Sequence, residues 1–336
     1  MHAILCRRRP GGAQAVFEDI EMALPTAGPR DLLVRIEAAS LNPIDFKRRA
    51  ARPDPDPAGA VLGWSAIGKV EAIGTEVRHF TPGERVWYAG ASERPGAFAE
   101  FQLVDERITG RAPSRLASEE AAAMALPGLT AAEALFDHLD IERAEPGHSL
   151  LINGGSGSVA SLAVQLARRS PAVEIIATAG GTESRTWLQR IGAHHVADYR
   201  LCLWQQVRQL GCPMPRSIVS MHTSKRSWES YITMLEPFGH ICLVDHASGI
   251  DIAAARSKSL ALHWQAVFTR PSHIRETSLR QGEHLSALAR LCDEAAILPP
   301  PVGPAAPMNA ASVAAAMDHC KPGGPRCVFV PQSRMN

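Results

Sequence analysis

The chain has 336 residues, 46% of them hydrophobic, with 35 Lys and Arg against 34 Asp and Glu for a net charge of +1. That balance gives no electrostatic reason to expect nucleic acid or an anionic membrane as partner, and the length exceeds what one hydrophobic core usually supports, so two domains are expected. No apolar window is long enough to cross a bilayer, the first residues lack a signal-peptide layout, and seven scattered cysteines without a C-x-x-C pair suit a reducing cytoplasm.

The first part reads as short strands broken by turns: Ala3–Cys6, Phe17–Glu21, Leu32–Ala39, Ala66–Ile73 and Arg85–Tyr88, with Pro25, Gly28-Pro29, Gly74 and Pro82-Gly83 as punctuation. Near Ser118 the texture changes. Glu119–Ala125 and Leu129–Leu139 predict two helices, the first capped by Ser118 and the second opened by Leu129-Thr130-Ala131. From Ser149 strands and helices alternate. Val173–Thr178, Ile218–Met221 and His240–Val244 read as buried parallel strands, with helices over Glu183–Ile191, Leu201–Leu210 and Trp228–Leu235. His194-His195, beside Gly192, reads as surface within a turn. Beyond Leu262 come a helix at Leu279–Ala295, a proline-rich loop at Leu298–Pro307, a helix at Asn309–Cys320 and a closing strand at Arg326–Val330.

The most specific signal is the run Leu150-Leu151-Ile152-Asn153-Gly154-Gly155-Ser156-Gly157-Ser158-Val159-Ala160. A strand, a glycine turn, a helix and a second strand form the βαβ unit that binds dinucleotides, and Gly155-x-Gly157-x-x-Ala160 fits its G-x-G-x-x-G/A spacing. Gly155 permits the tight turn, Gly157 admits a pyrophosphate close to backbone amides, and Ala160 lets the helix pack near the strand. The helix N-terminus then presents free N–H groups and its positive dipole end to the anion, through Ser156, Ser158 and Val159.

Several words in this order resemble the medium-chain dehydrogenase/reductase superfamily, and within it the zinc-free quinone-oxidoreductase branch. They are Ala39-Ser40-Leu41-Asn42-Pro43-Ile44-Asp45, Val61-Leu62-Gly63-Trp64-Ser65-Ala66-Ile67-Gly68, Pro82-Gly83-Glu84-Arg85-Val86, Leu129-Thr130-Ala131, the glycine turn, Ile191-Gly192-Ala193 and Phe268-Thr269-Arg270-Pro271. The resemblance implies an α/β architecture: a doubly wound Rossmann sheet inserted in a GroES-like, mostly β catalytic domain. Expected bounds are 1–122 for the catalytic domain, 123–262 for the dinucleotide domain and 263–336 for the return. Zinc-dependent relatives carry a cysteine, a histidine and a glutamate where this chain has Asn42, Trp64 and Ser65, and no cysteine lies between Cys6 and Cys202. No zinc is therefore expected, for want of thiolate and imidazole ligands.

An NADPH-dependent, zinc-independent reductase of quinones or α,β-unsaturated carbonyls follows from the resemblance, with NADH as the other possible cofactor. A zinc-free alcohol or carbonyl dehydrogenase and a cofactor-binding homologue without redox activity are the alternatives. By resemblance Asn42 orients nicotinamide or substrate, the plainer role being a turn residue before Pro43; Asp45 supports its loop. Tyr88 is either a proton donor or a packed aromatic, Trp64 a wall, and Thr130 a cofactor contact or a helix cap. Thr178-Ala179-Gly180-Gly181 places no acid at the second strand's tip, which argues against strict NAD use. Arg185, Tyr199 and Arg200 are candidates for the phosphate of NADPH, in place of the Ser-Arg pair of similar proteins. Ser220, His222, Val244, Phe268 and Arg270 are carried over by position to the nicotinamide end. Ser158 either donates to the pyrophosphate or crowds it, the latter if the position needs positive φ. A homodimer joined along the Rossmann sheet edge, near His240–Val244, is expected, with a small-molecule substrate as the remaining partner.

Overall fold

The computed structural model describes residues 1–12, 14–56, 58–273, 279–320 and 324–332. The chain divides into one unit of Met1–Leu129 with Val267–Asn336 and another of Thr130–Ala266. In chain order, the first unit opens with β1 (His2–Arg7), β2 (Val16–Glu21), β3 (Asp31–Ser40), α1 (Pro43–Ala50) and β4 (Ala60–Val61). It continues with β5 (Ala66–Ile73), β6 (Arg85–Tyr88), β7 (Phe101–Asp105), β8 (Thr109–Arg111) and α2 (Ser118–Ala132), which runs past the boundary. The second unit holds β9 (His148–Asn153), α3 (Ser158–Ala167), β10 (Val173–Ala179), α4 (Thr182–Arg190) and β11 (His195–Asp198). It ends with α5 (Leu203–Gln209), β12 (Ser217–Ser220), α6 (Lys225–Met234), β13 (His240–Leu243) and β14 (Ala261–Trp264). The return contributes α7 (Thr269–Ser272), α8 (Arg280–Asp293), β15 (Ala306–Pro307), α9 (Ala310–His319) and β16 (Val328–Val330).

In the first unit a three-stranded sheet runs β2-β1-β4 and a larger one runs β15-β16-β3-β5-β6-β8, with β7 also on β3. The long central strand β3 reads as an apolar run rather than an alternating one: seven of its ten residues are buried, with Arg35 turned outward. In the second unit all six strands are parallel, in the order β11-β10-β9-β12-β13-β14. Counted within the unit this is 3-2-1-4-5-6, the doubly wound order, and it reverses between β9 and β12. Leu151, Ile176, Ile218 and Ile241 are fully buried beside Trp228 and Tyr231 of α6, which accounts for uninterrupted apolar strands.

Four local expectations differ from the structure. The two helices expected around Ala125–Leu129 are one, α2, with Pro127 inside it, followed by a π-helical turn over Glu133–His138. Proline removes one rung of the ladder. At the rung immediately before it, Ser65 Oγ donates to the Ala122 carbonyl at 2.5 Å and accepts from Leu126 N–H at 3.0 Å, so a foreign hydroxyl bridges the helix. Ser118 does not cap: its hydroxyl donates to Glu37 at 2.9 Å, while Glu120 accepts the Ala117 N–H at 3.1 Å. Thr130 consequently lies inside α2 rather than at a helix start.

The stretch read as a turn around His194-His195 holds β11, paired with β10. His194 Nδ1 accepts the Ile175 N–H at 2.8 Å, and His195 Nε2 meets Glu174 at 2.9 Å, so both imidazoles fasten the β10–β11 side of the sheet. Finally, β14 was absent from the expected strands, and it is the outer edge. His240–Leu243 is paired on both sides, with β12 and with β14.

Candidate dinucleotide site and catalytic-unit residues

The glycine turn sits at the carboxyl end of β9, beside the reversal of strand order, where ligands bind in open α/β sheets. Gly155 has φ +60, a left-handed conformation that a side chain would strain, and nothing lies within 4 Å of where its Cβ would stand. A Cβ on Gly154 would come within 2.9 Å of both the Ala160 Cβ and the Met221 sulfur. Close helix–strand packing therefore depends on Gly154 together with Ala160. Gly157 is the N-cap of α3, with φ −62 and ψ 156. Ser158 and Val159 follow in its first turn, where N–H groups have no intrahelical acceptor. Ser158 is not among the positive-φ residues, which removes the crowding expected from such a conformation. The turn is braced from below: Ser156 Oγ meets Ser184 Oγ at 2.9 Å, and Ser161 Oγ donates to the Ser156 carbonyl and accepts from Trp187 Nε1.

Under the turn lies a buried polar network. Asn153 Nδ2 donates to Tyr231 Oη at 2.6 Å, Thr178 Oγ1 donates to Asn153 Oδ1 at 2.8 Å, and Ser220 Oγ lies 2.9 Å from Tyr231 Oη. Thr223 Oγ1 donates to Ser220 Oγ, and the His222 carbonyl accepts from both Asn153 and Ser220. Thr178 and Ser220 are completely buried. Their hydroxyls are engaged within the protein, where they hold the tips of β10 and β12 against β9. His222 and Val244 do lie just past the carboxyl ends of β12 and β13, the first exposed and the second half-buried. The Thr223 N–H is bonded to Asp245.

At the tip of β10 the backbone ends in Ala179 and Gly180, without a carboxylate. Tyr199 packs over Gly180, its hydroxyl 2.2 Å from where a Cβ would be, so only glycine admits the ring in this position. Arg185 Nη1 donates to the Val196 carbonyl at 2.5 Å. Arg200 is gripped by Asp198, with Nη2–Oδ2 at 2.6 Å and Nε–Oδ1 at 3.0 Å, and the guanidinium holds that carboxyl down at about 2. A fork of this kind neutralises the Arg200 charge that a phosphate would need.

In the other unit, Asn42 caps α1 ahead of Pro43. The Asp45 carboxylate accepts the Asn42 N–H at 2.7 Å and the Gly63 N–H at 2.9 Å, which joins two of the sequence words across one buried group. Burial pushes the Asp45 acid up to about 7, against those N–H groups and the nearby Arg326 charge that pull it down. The Asn42 amide is wholly committed. Its Nδ2 donates to the Ser40 and Trp64 carbonyls at 3.0 and 3.5 Å, and its Oδ1 accepts from Arg326 Nη2 at 2.5 Å. With 1% of its surface exposed, Asn42 holds its own turn in place. Arg326 lies 284 positions away, and no spacing rule in the sequence could have paired them. Arg326 also donates to the Leu41 carbonyl.

Of the two roles expected for Tyr88, the packing favours the aromatic one. Its side chain is packed inside the sheet, 1% exposed, with a hydroxyl that has no partner among the described residues and an acidity suppressed by burial. Trp64, also buried, donates from Nε1 to the Ala91 carbonyl at 3.2 Å and meets the half-buried Phe268 edge-on at 6.1 Å. Arg270 lies two residues on, in α7. Among the described residues no group of three or more His, Cys, Asp or Glu is placed to hold a metal. The three positions that bind zinc in relatives do not fit one. Asn42 is spent on Arg326, Trp64 has no ligand atom, and the Ser65 hydroxyl is spent on α2.

Residues 28–114 match the family model described as the alcohol dehydrogenase GroES-like domain. The chain is 34% identical over 279 residues to the zinc-type alcohol dehydrogenase-like protein SAV2186 of Staphylococcus aureus (strain Mu50 / ATCC 700699), covering 82% of each. The chain belongs to the medium-chain dehydrogenase/reductase superfamily. A solved structure from Rhizobium etli CFN 42, described as a putative zinc-dependent alcohol dehydrogenase protein, is 37% identical over 98% of both chains with a TM-score of 0.89. The mycobacterial quinone oxidoreductase Rv154c is 26% identical, at a TM-score of 0.81, over 98% of this chain and all of that one. The protein is accordingly an oxidoreductase of this superfamily, with its GroES-like and Rossmann parts in place.

Proposed function

We propose that the protein is an NADPH-dependent, zinc-independent reductase of quinones or α,β-unsaturated carbonyl compounds, acting as a cytoplasmic homodimer. The observation that carries this reading is the glycine turn at the strand-order reversal, with Gly155 left-handed and Gly157 capping α3. Its amides bind the diphosphate, and the first turn of α3 adds the positive end of its dipole. When bound, the nicotinamide supplies the hydride. At the adenosine end the strand tip has no acid to receive ribose hydroxyls, and Arg185 and Tyr199 are the residues assigned to the phosphate. Arg200, spent on Asp198, is left out of the clamp.

The choice of acceptor follows from what the catalytic unit lacks. With Asn42 tied to Arg326, Tyr88 sealed in the sheet and no zinc ligands at 42, 64 and 65, none of these four positions offers a strong electrophile. Hydride delivered to a conjugated acceptor leaves charge spread over an enolate or quinol oxygen, which water can protonate. A saturated ketone would concentrate that charge on one oxygen and needs the missing electrophile. The same commitments favour a second reading, a protein that binds the dinucleotide without transferring hydride. For the dimer, the open outer edge of β14, with Trp264 half exposed, is the surface offered to a second copy.

Nicotinamide fluorescence during titration with NADPH and NADH, followed by NADPH oxidation with a quinone, an enone and a saturated ketone in chelator, tests the reading. Turnover of quinone or enone supports it. Binding without any turnover selects the second reading, and turnover of the saturated ketone alone refutes the preference for conjugated acceptors.

A further inference from the structure

Two of the seven thiols meet. Cys320 Sγ and Cys327 Sγ lie 2.9 Å apart, closer than even carbon atoms approach in ordinary contact at about 3.5–4.0 Å. Neither position is an accident of a loose chain. Cys320 is the C-cap of α9, its N–H bonded to the Ala316 carbonyl at 2.8 Å. Cys327 precedes β16, and its carbonyl accepts the Leu41 N–H at 2.9 Å and the Ser40 hydroxyl. Between them in sequence stands Arg326, whose N–H donates to the Pro301 carbonyl and whose guanidinium holds Asn42 and Leu41. The sulfurs are thus brought together by two separately anchored backbones, directly behind the Asn42 turn.

We propose that Cys320 and Cys327 form a reversible disulfide, a modification site that ties α9 to β16 and through Arg326 and Leu41 stiffens the Asn42 turn. The oxidant is a hydroperoxide. The Cys320 thiolate attacks its outer oxygen, giving a sulfenic acid and releasing an alcohol, or water from hydrogen peroxide. Cys327 then attacks the sulfenic sulfur, forming the S–S bond while its proton leaves with the hydroxyl as a further water. Two thiols lose two hydrogens and two electrons, and the O–O bond takes both. Burial, with Cys320 beside it, pushes the Cys327 thiol up to about 12, which makes Cys320 the sulfur that meets the peroxide first. The pair stands apart from the hydride-transfer reading, because it is detected without any turnover.

The test treats reduced full-length protein with hydrogen peroxide, counts thiols in denaturant, and maps tryptic peptides without reduction. The seven titratable thiols should fall to five, and dithiothreitol should restore them. The linked species should join peptide 291–326 to peptide 327–334, two hydrogen masses below their sum, with fragmentation placing the bond on Cys320 and not on Cys292. Cys320→Ser should retain all six remaining thiols under the same treatment, whereas Cys327→Ser should lose one, Cys320, as a sulfenic acid that dimedone traps. Amide exchange at Leu41 and Asn42 should slow on oxidation of the wild type and stay unchanged in Cys320→Ser. Seven thiols surviving, a bond to Cys292, stable addition of oxygen at Cys320 without a bond, or unaltered exchange in the linked protein would each overturn the proposal.

Discussion

Replacing Tyr88 by phenylalanine separates a packed aromatic from a proton donor. The ring is 1% exposed and its hydroxyl has no partner among the described residues. Burying an unpaired hydroxyl costs about 1–3 kcal/mol. Deleting one oxygen opens roughly 10 Å³, which at about 24 cal/mol per Å³ returns only about 0.2 kcal/mol of cavity cost. Tyr88→Phe should therefore be more stable than wild type by about 1 kcal/mol, a rise of roughly 2–4 °C in Tm. Scanning calorimetry of both proteins at one scan rate measures the shift, and NADPH oxidation with a quinone measures kcat. Both kcat and KM should stay within about twofold. A loss of about a hundredfold or more, the scale of general acid–base catalysis, would show that the hydroxyl reaches the substrate. A fall in Tm would show that it is hydrogen-bonded after all.

Three further outcomes are expected. Arg185→Ala should raise the NADPH KM by roughly 10- to 150-fold, equivalent to about 1.5–3 kcal/mol for a charged hydrogen bond, with NADH little affected. Arg200→Ala should change neither, since Asp198 already holds that charge; equal effects of the two variants in steady-state kinetics would refute the assignment. Gly180→Ala forces the exposed Tyr199 ring aside, so Tm should hardly move while the ratio of NADPH to NADH efficiency changes; an unchanged ratio would take Tyr199 out of the phosphate site. Asp45 gives a pH dependence. Its folded value near 7 lies above the unfolded 3.8, so the protonated form favours folding below about pH 4, and that contribution is lost as pH rises through 7. Denaturant melts of wild type and Asp45→Asn from pH 4 to 8 should show the wild-type advantage shrinking with pH, and growth of that advantage would contradict the sign.

The sequence reveals the Rossmann half well because its signals are local. A glycine turn between an apolar strand and an apolar helix fixes β9, α3 and β10 within the one stretch His148–Ala179, and parallel strands covered on both faces announce themselves as apolar runs. β11 and β14 escape because each carries a single branched aliphatic, Val196 or Leu262, beside a histidine and an aspartate or a tryptophan, so no apolar run marks it. Pro127 hides the continuity of α2, since the hydroxyl that repairs its neighbourhood comes from Ser65, 61 positions away from Leu126. The surroundings of the candidate catalytic groups are hidden for the same reason. Side-chain type singles out Asn42 and Tyr88, but burial and an arginine near the far end of the chain decide what those side chains are free to do.

The central claim, a diphosphate gripped by amides at the start of α3, is tested most directly by calorimetric titration of NADPH into wild type and Gly157→Asp. The substitution is tolerated by the fold: Gly157 has φ −62, its Cβ would meet only the Gly154 carbonyl at 3.3 Å, and aspartate is a favoured N-cap. It sets a carboxylate where the anion must sit. The account predicts saturable binding to the wild type and none to a variant that melts no lower. Equal heats of binding for the two proteins, or no heat with the wild type, would contradict it.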